Sequence, residues 1–226
     1  MSVPDPYAPH ERRPIAARET RWASAIAARL ANARITANTI SIAGMVTGLA
    51  AGAALMLTTA FPQFARILWP IAALLIQTRL LANLFDGMVA IRSQTASRVG
   101  ELYNEVPDRV SDTAVLVGLG YALGGNPLLG WIAALAAMLT AYIRTAGKSA
   151  GAPHDYCGPM AKQHRMALVT ALCLWLTVSP TWLHALALGT TSISLVALTL
   201  LVIIAGSLLT AMRRLSRIAT QLQRGP

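Results

Sequence analysis

The sequence predicts an all-α membrane protein of six transmembrane helices with an N-terminal amphipathic interfacial helix, and three observations carry that prediction. Mean hydropathy is +0.53, with 55% hydrophobic and only 12% charged residues, whereas a soluble domain carries about a quarter charged. Long uncharged runs alternate with short segments bearing arginine. Those basic segments fall on one side of the topology the runs imply, which is how membrane orientation is encoded.

The elements follow in order. Residues 1–34 form an arm on the cytoplasmic side. Its first fourteen residues are proline-rich and expected to be irregular, and its first thirty lack the apolar core of a secretory signal. Over 15–34, Trp22, Ile26 and Leu30 recur at i, i+4 and i+8, with Arg18, Arg21 and Arg29 on the adjoining side. This pattern suits a helix lying among lipid headgroups, with an ordinary amphipathic helix packed on protein as the alternative. Residues 35–212 form the membrane domain. The first span lies in the uncharged run Ile35–Ala65, leaving near Phe61-Pro62-Gln63. The second covers about Ile67–Ile91, interrupted by Arg79 and Asp86. The uncharged run Thr113–Ile143 is broken at Gly124-Gly125-Asn126-Pro127. It is too long for one crossing of about 20 residues and short for two, so spans three and four extend into the charged flanks. Met166–Met212 has no Asp, Glu, Lys or Arg and splits at Ser179-Pro180-Thr181 into spans five and six. Residues 213–226 are a basic tail.

Six crossings put both termini on one side, together with the arginines of 92–109, the 144–165 segment and the tail; the opposite loops carry Arg66. The termini and the acidic cluster are therefore expected to face the cytoplasm. A composition rich in alanine and in arginine over lysine suggests a bacterial inner membrane. The net charge of +10 is dispersed between spans rather than gathered in a patch, which argues against nucleic acid as a partner. Cys157 and Cys173 have no metal or redox spacing. The small-residue run G-M-V-T-G-L-A-A-G-A-A favours close helix packing.

Chemistry concentrates in 83–112, which holds five of the nine acids: Asp86, Glu101, Glu105, Asp108 and Asp112. A carboxylate at a span centre costs at least ~2.5 kcal/mol, so it needs a partner or a function. Arg79, Asn83, Asp86 and Ala90 form one helical stripe, and Glu101, Asn104, Glu105, Asp108 and Asp112 another, with Pro107 loosening its first turns. Facing oxygen-bearing stripes suit Mg²⁺ or Mn²⁺ and leave room for phosphate. Gly87 and Gly100 let backbone or a bulky ligand come close. The alternative is a buried ion-pair network in which Arg79, Arg92, Arg98 and Arg109 neutralise the acids.

These residues resemble the CDP-alcohol phosphatidyltransferases, whose pattern is D-x-x-D-G-x-x-A-R-x8-G-x3-D-x3-D. Asp86, Gly87, Ala90, Gly100 and Asp108 match at the family spacing, while a register ending on Asp108 and Asp112 would break the spacing to Gly100. Asn83 and Asn104 stand where the family has aspartates, and Ile91 stands at the arginine position, with Arg92 one step later. The resemblance extends to the six-span layout and the amphipathic arm.

The resemblance implies transfer of a phosphatidyl group from CDP-diacylglycerol to an alcohol acceptor, with release of CMP. It implies one or two Mg²⁺ or Mn²⁺ ions held by Asn83, Asp86, Asn104 and Asp108. Asp108 would be the catalytic base, and Gly87, Ala90 and Gly100 the floor under the nucleotide, with Arg92 and Glu101 beside it. On the cytoplasmic side, Arg144, Lys148, Lys162, His164 and Arg165 suit an anionic headgroup or acceptor phosphate, although plain positive-inside topology would also collect cations there. A homodimer is implied as well. Other readings are a relative joining a soluble CDP-alcohol to diacylglycerol, a small transporter, or a non-catalytic scaffold.

Overall fold

The computed structural model describes Arg18 and residues 20–224, apart from 96–97, 154 and 189–190; the proline-rich arm and His154 therefore lie outside the described residues. Seven helices run in order: α1 (Arg21–Asn32), α2 (Ala37–Ala60), α3 (Ala65–Arg92), α4 (Arg98–Gly120), α5 (Pro127–Ser149), α6 (Lys162–Val178) and α7 (Leu195–Arg224). A short hairpin of β1 (Ala185–Leu188) and β2 (Thr191–Ser194) joins the last two.

Local chemistry sets several boundaries. Thr36 caps α2, its hydroxyl accepting from the Thr39 N–H at 3.2 Å, and Asn126 caps α5 by accepting from Leu129 at 3.2 Å. Both satisfy donors that a helix start leaves open, and Pro127 in the first turn forfeits no bond. Arg34 (φ 58°) and Gln94 (φ 52°) take the left-handed conformation that closes α1 and α3.

Four helical segments, 37–60, 62–92, 127–149 and 195–223, are long and apolar enough to cross a membrane. The acids in the first turns of α4 and the 17-residue length of α6 keep those two below that mark. The run Met166–Met212 does not divide at Ser179-Pro180 into two adjoining helices. Residues 185–188 and 191–194 pair as antiparallel strands, and α7 starts only at Leu195. In the second strand, T-S-I-S, the hydroxyl side chains compete with helical backbone bonds, and Thr and Ile are β-branched. Helix α7 then continues through the basic tail to Arg224.

The helices pack in the order α6, α3, α2, α4, α5, α7, with α7 returning to α6. A core of Leu55, Trp69, Ile76, Leu116, Leu119, Val169, Leu200 and neighbours fills the middle. Outward faces carry exposed Leu74, Leu135 and Val178. Apolar outside with charge inside is the inversion that lipid as solvent permits. The α2 glycines are packing surfaces: a Cβ on Gly52 would lie 2.4 Å from the Ala114 carbonyl oxygen, and one on Gly118 would lie 2.5 Å from that of Gly52. The small-residue run thus brings α4 against α2 within one chain.

Helix α1 begins at Arg21 and packs on α3, burying Ala23 and Ala27 beside Leu84, Phe85 and Val89. Leu30 is partly buried there, while Trp22 and Ile26 stay exposed, the Trp22 edge meeting Phe85 at 6.1 Å. One side of α1 holds protein and an apolar side remains open.

Candidate functional site

Polar side chains from α3, α4 and α6 converge on Asp108. The pattern of small residues explains how they meet, because the stripe of Gly44, Gly48 and Gly52 on α2 lets α3 approach at Ala82 and α4 at Ser111 and Ala114. The Oδ1 of Asp108 accepts from Arg79 Nη2, and its Oδ2 lies 2.6 Å from Lys162 Nζ. Arg109 Nη2 stands 4.0 Å from the same oxygen. In the amide orientation that satisfies its neighbours, Asn83 donates to Asp108 Oδ1 at 3.1 Å and to Asn104 Oδ1 at 2.8 Å, while its oxygen accepts from Lys162 Nζ at 3.2 Å. Asn83, Asn104, Asp108 and Lys162 therefore form one hydrogen-bonded node, braced by Arg79.

Asp86 is buried on the same helix as Asn83. Its partners are uncharged: Ser41 donates to Oδ2 at 2.7 Å and the Gly87 N–H to Oδ1 at 2.5 Å. A separate bridge forms at Glu105, which accepts from Arg109 at 3.1 Å and Arg144 at 2.5 Å. The Arg144 guanidinium sits 5.5 Å from the centre of the Tyr156 ring, within cation–π range. Deeper in α4, Asp112 pairs with Arg165 at 3.1 Å, and Arg165 also donates to the Met160 carbonyl at 2.8 Å.

The structure thus unites Asn83, Asn104, Asp108 and Lys162 and keeps other expected site residues apart from that node. Gly87, Ala90 and Gly100 are half-buried, and the Glu101 side chain lies outside the described residues. Arg92 is exposed and lines, with Arg18 and Met88, a cleft of about 320 Å³ between α1 and α3. Lys148 and His164 are exposed, whereas Arg165 is spent on Asp112. The ion-pair alternative is thereby realised in part: Arg79 and Arg109 do neutralise acids, while the Arg98 side chain lies outside the described residues.

Ser41 and Tyr156 were not singled out by sequence reasoning. Ser41 carried a signal, since it continues the stripe of Gly44, Gly48 and Gly52 that faces neighbouring helices. Tyr156 carried none, because only the path of the 150–161 loop puts it under Arg144. That loop is pinned by Arg214, which donates to the carbonyls of Cys157 and Thr140, each at 2.9 Å.

As a donor set the node suits anions better than a pair of metal ions. Both Asp108 oxygens meet cations, and Asn83 and Asn104 are neutral amides bonded to each other. Among the described residues no three His, Cys, Asp or Glu side chains gather to hold a metal. Asp86 accepts its hydrogen bonds from neutral donors, which suits one ion completed by water and phosphate oxygens.

The sequence signature of the CDP-alcohol phosphatidyltransferases matches residues 34–211. The inner membrane protein YnbA of Escherichia coli (strain K12) is 27% identical over 150 residues, which cover 66% of this chain and 72% of that protein. Among solved structures, the phosphatidylinositol phosphate synthase PgsA1 of Mycobacterium tuberculosis with CDP-DAG bound has a TM-score of 0.69 at 18% identity. That match covers 88% of this chain and 94% of PgsA1. The same enzyme in complex with manganese and citrate gives 0.67 at 18% identity, covering 88% and 89%. The likeness to PgsA1 establishes a shared membrane-protein fold.

Proposed function

Because the chain belongs to the CDP-alcohol phosphatidyltransferase family, we propose that it moves a phosphatidyl group from CDP-diacylglycerol to an alcohol acceptor and releases CMP. The observation that carries this reading is the polar node at Asp108, where motif positions of α3 and α4 meet the cations at the start of α6. The presence of CDP-DAG in PgsA1, which shares the fold, supports the choice of donor.

In this reading the acceptor oxygen attacks the phosphorus bearing the lipid, and the bond from that phosphorus to the CMP oxygen breaks. Asp108 takes the hydroxyl proton, a contribution of typically 10²–10⁴-fold. Lys162 and Arg144 attract the diphosphate or an anionic acceptor, and fixed positive charge that meets developing negative charge is the usual main source of rate. Gly87, Ala90 and Gly100 leave space for the nucleotide. One Mg²⁺ or Mn²⁺ ion at Asp86, completed by water and phosphate oxygens, would neutralise charge on the diphosphate; the manganese complex of PgsA1 is consistent with such a metal.

The membrane placement extends the same reading. Helices α2–α7 make six crossings, with α4 and α6 shielded by their neighbours, and α1 lies at the interface with Trp22 and Ile26 towards lipid. Arginines and lysines at 92–109, 144–165 and 213–224 put the site and termini in the cytoplasm of a bacterial inner membrane. Two such chains pair as a homodimer.

The test is CMP release from CDP-diacylglycerol by purified protein in detergent, with a panel of alcohols and with Asp108→Asn. Metal-dependent release that falls by roughly 10²–10⁴-fold in the variant is expected. Absence of release with every acceptor, or a fully active variant, would sink the reading.

A further inference from the structure

Lys162 occupies an unusual position for a lysine in a chain whose lysines number two. It heads α6, its side chain is 12% exposed, and its ammonium lies between the Asp108 carboxylate at 2.6 Å and the Asn83 amide oxygen at 3.2 Å. Those two oxygens come from different helices, α4 and α3. A cation that bridges oxygens across two helices is doing structurally what a bound metal ion would do. Arg79 caps the other Asp108 oxygen from α3, so the carboxylate presents cations on both sides.

From this geometry we infer that the Lys162 ammonium is a built-in cation that fills the Asp108 half of the site, so that half takes no divalent ion and the protein binds a single metal at Asp86. The inference rests on the proposed metal-assisted transfer and deepens it by fixing how many ions take part.

Charge accounting supports it independently of the family. Asp108 contributes one negative charge, whereas Arg79 and Lys162 contribute two positive ones and Arg109, 4.0 Å away, a third. A divalent ion at the same oxygens would set five positive charges against that one negative in a low-dielectric setting, where like charges repel most strongly. Asn83 and Asn104 bring oxygens without charge, and their mutual hydrogen bond occupies them. A lysine in the place of an ion explains why neutral amides suffice at both positions: a singly charged ammonium needs fewer negative ligands than a divalent metal. Asp86, bonded to a hydroxyl and an amide N–H, has no cation in direct contact. An ion there would follow the usual Mg²⁺ habit of one or two carboxylates plus water and phosphate.

The experiment is a Mn²⁺ titration of the purified full-length chain in detergent, with free Mn²⁺ read by electron paramagnetic resonance. Wild type is expected to bind one ion per chain, lost in Asp86→Asn and retained in Asp108→Asn. Lys162→Met is expected to gain a further ion, and the Lys162→Met/Asp108→Asn double variant to lose that gain. Two ions per wild-type chain, or loss of an ion in Asp108→Asn, would overturn the inference without any need for the lysine variant to fold. A folded Lys162→Met protein that binds no additional ion would overturn it equally. The transferase reading stands or falls separately on CMP release. One bound ion without any CMP release would refute that reading and leave the lysine's role intact, whereas CMP release with two bound ions would do the opposite.

Discussion

Removing the Asp112 carboxylate should destabilise this protein strongly. Asp112 and Arg165 are 4% and 1% exposed at their side chains and meet at 3.1 Å. At an effective dielectric of 20, two unit charges at that distance attract by about 5 kcal/mol before desolvation is counted. Desolvation cancels much of that in the intact pair. Asp112→Ala keeps the whole desolvation cost of the guanidinium and removes its compensation, so a loss of about 3–5 kcal/mol is expected. The bond from Arg165 to the Met160 carbonyl remains and sets the loss towards the lower figure. Replacing both partners, Asp112→Ala with Arg165→Met, removes the stranded charge and should restore most of the stability. The assay is reversible unfolding in mixed micelles, with wild type, both single variants and the double variant as a cycle. If Asp112→Ala lies within about 1 kcal/mol of wild type, or the double variant is as unstable as Asp112→Ala, the buried-pair argument is wrong.

Two further outcomes test other parts of the structure. Gly52→Ala would press a methyl group against the Ala114 carbonyl at 2.4 Å, a backbone atom that cannot swing aside. A loss of about 1–3 kcal/mol is expected from overpacking, read as a lower unfolding midpoint; an unchanged midpoint would mean that α2 and α4 are not in backbone contact. In the loop beneath α7, burial first and then the neighbouring Asp155 push the Cys157 thiol above its ordinary range. Its thiolate is therefore scarce at neutral pH, and iodoacetamide labelling should rise only at more alkaline pH than for a free thiol. Asp155→Asn should shift that rise back towards neutral, and an identical profile in the variant would exclude the carboxylate as a cause.

What could be read from the sequence follows from how strongly each feature is forced. A bilayer leaves few ways to satisfy a backbone, so uncharged runs translate into α2, α3, α5 and α7 with little ambiguity. The break after α6 at Ser179-Pro180 is legible, whereas the paired strands beyond it are obscured by an apolar run, with only the Ser and Thr of 191–194 favouring them. Asn83, Asn104 and Asp108 were legible as a group because helical spacing alone puts them on facing stripes. Lys162 is legible as a cytoplasmic cation suited to an acceptor phosphate: that it reaches 2.6 Å from Asp108 depends on where α6 begins relative to α4, which no local pattern encodes. The pairing of Arg165 with Asp112 is hidden for the same reason. A cluster of basic residues looks alike whether its members face a ligand or a buried acid.

The partners of each carboxylate separate structural from chemical roles. Glu105 is tied to Arg109 and Arg144, Asp112 to Arg165, and Asp155 to Arg217 at 3.3 Å. Each of these pairs links two segments or braces one helix turn, and each is explained by packing. Asp108 is tied at once to two cations and to the Asn83 amide, more than neutralisation of one charge requires. Asp86 is buried too, yet it accepts hydrogen bonds only from a hydroxyl and a backbone N–H, with the Lys162 charge reaching it only from a distance. Packing alone gives no reason to keep a carboxylate there, because a buried acid without a counter-charge is costly. A positively charged visitor would supply that counter-charge, and the Lys162–Asp108 pair beside it would meet the negative charge such a visitor brings with its phosphates. The division between an acid already matched and an acid still unmatched is the property that makes this node a site rather than a clamp.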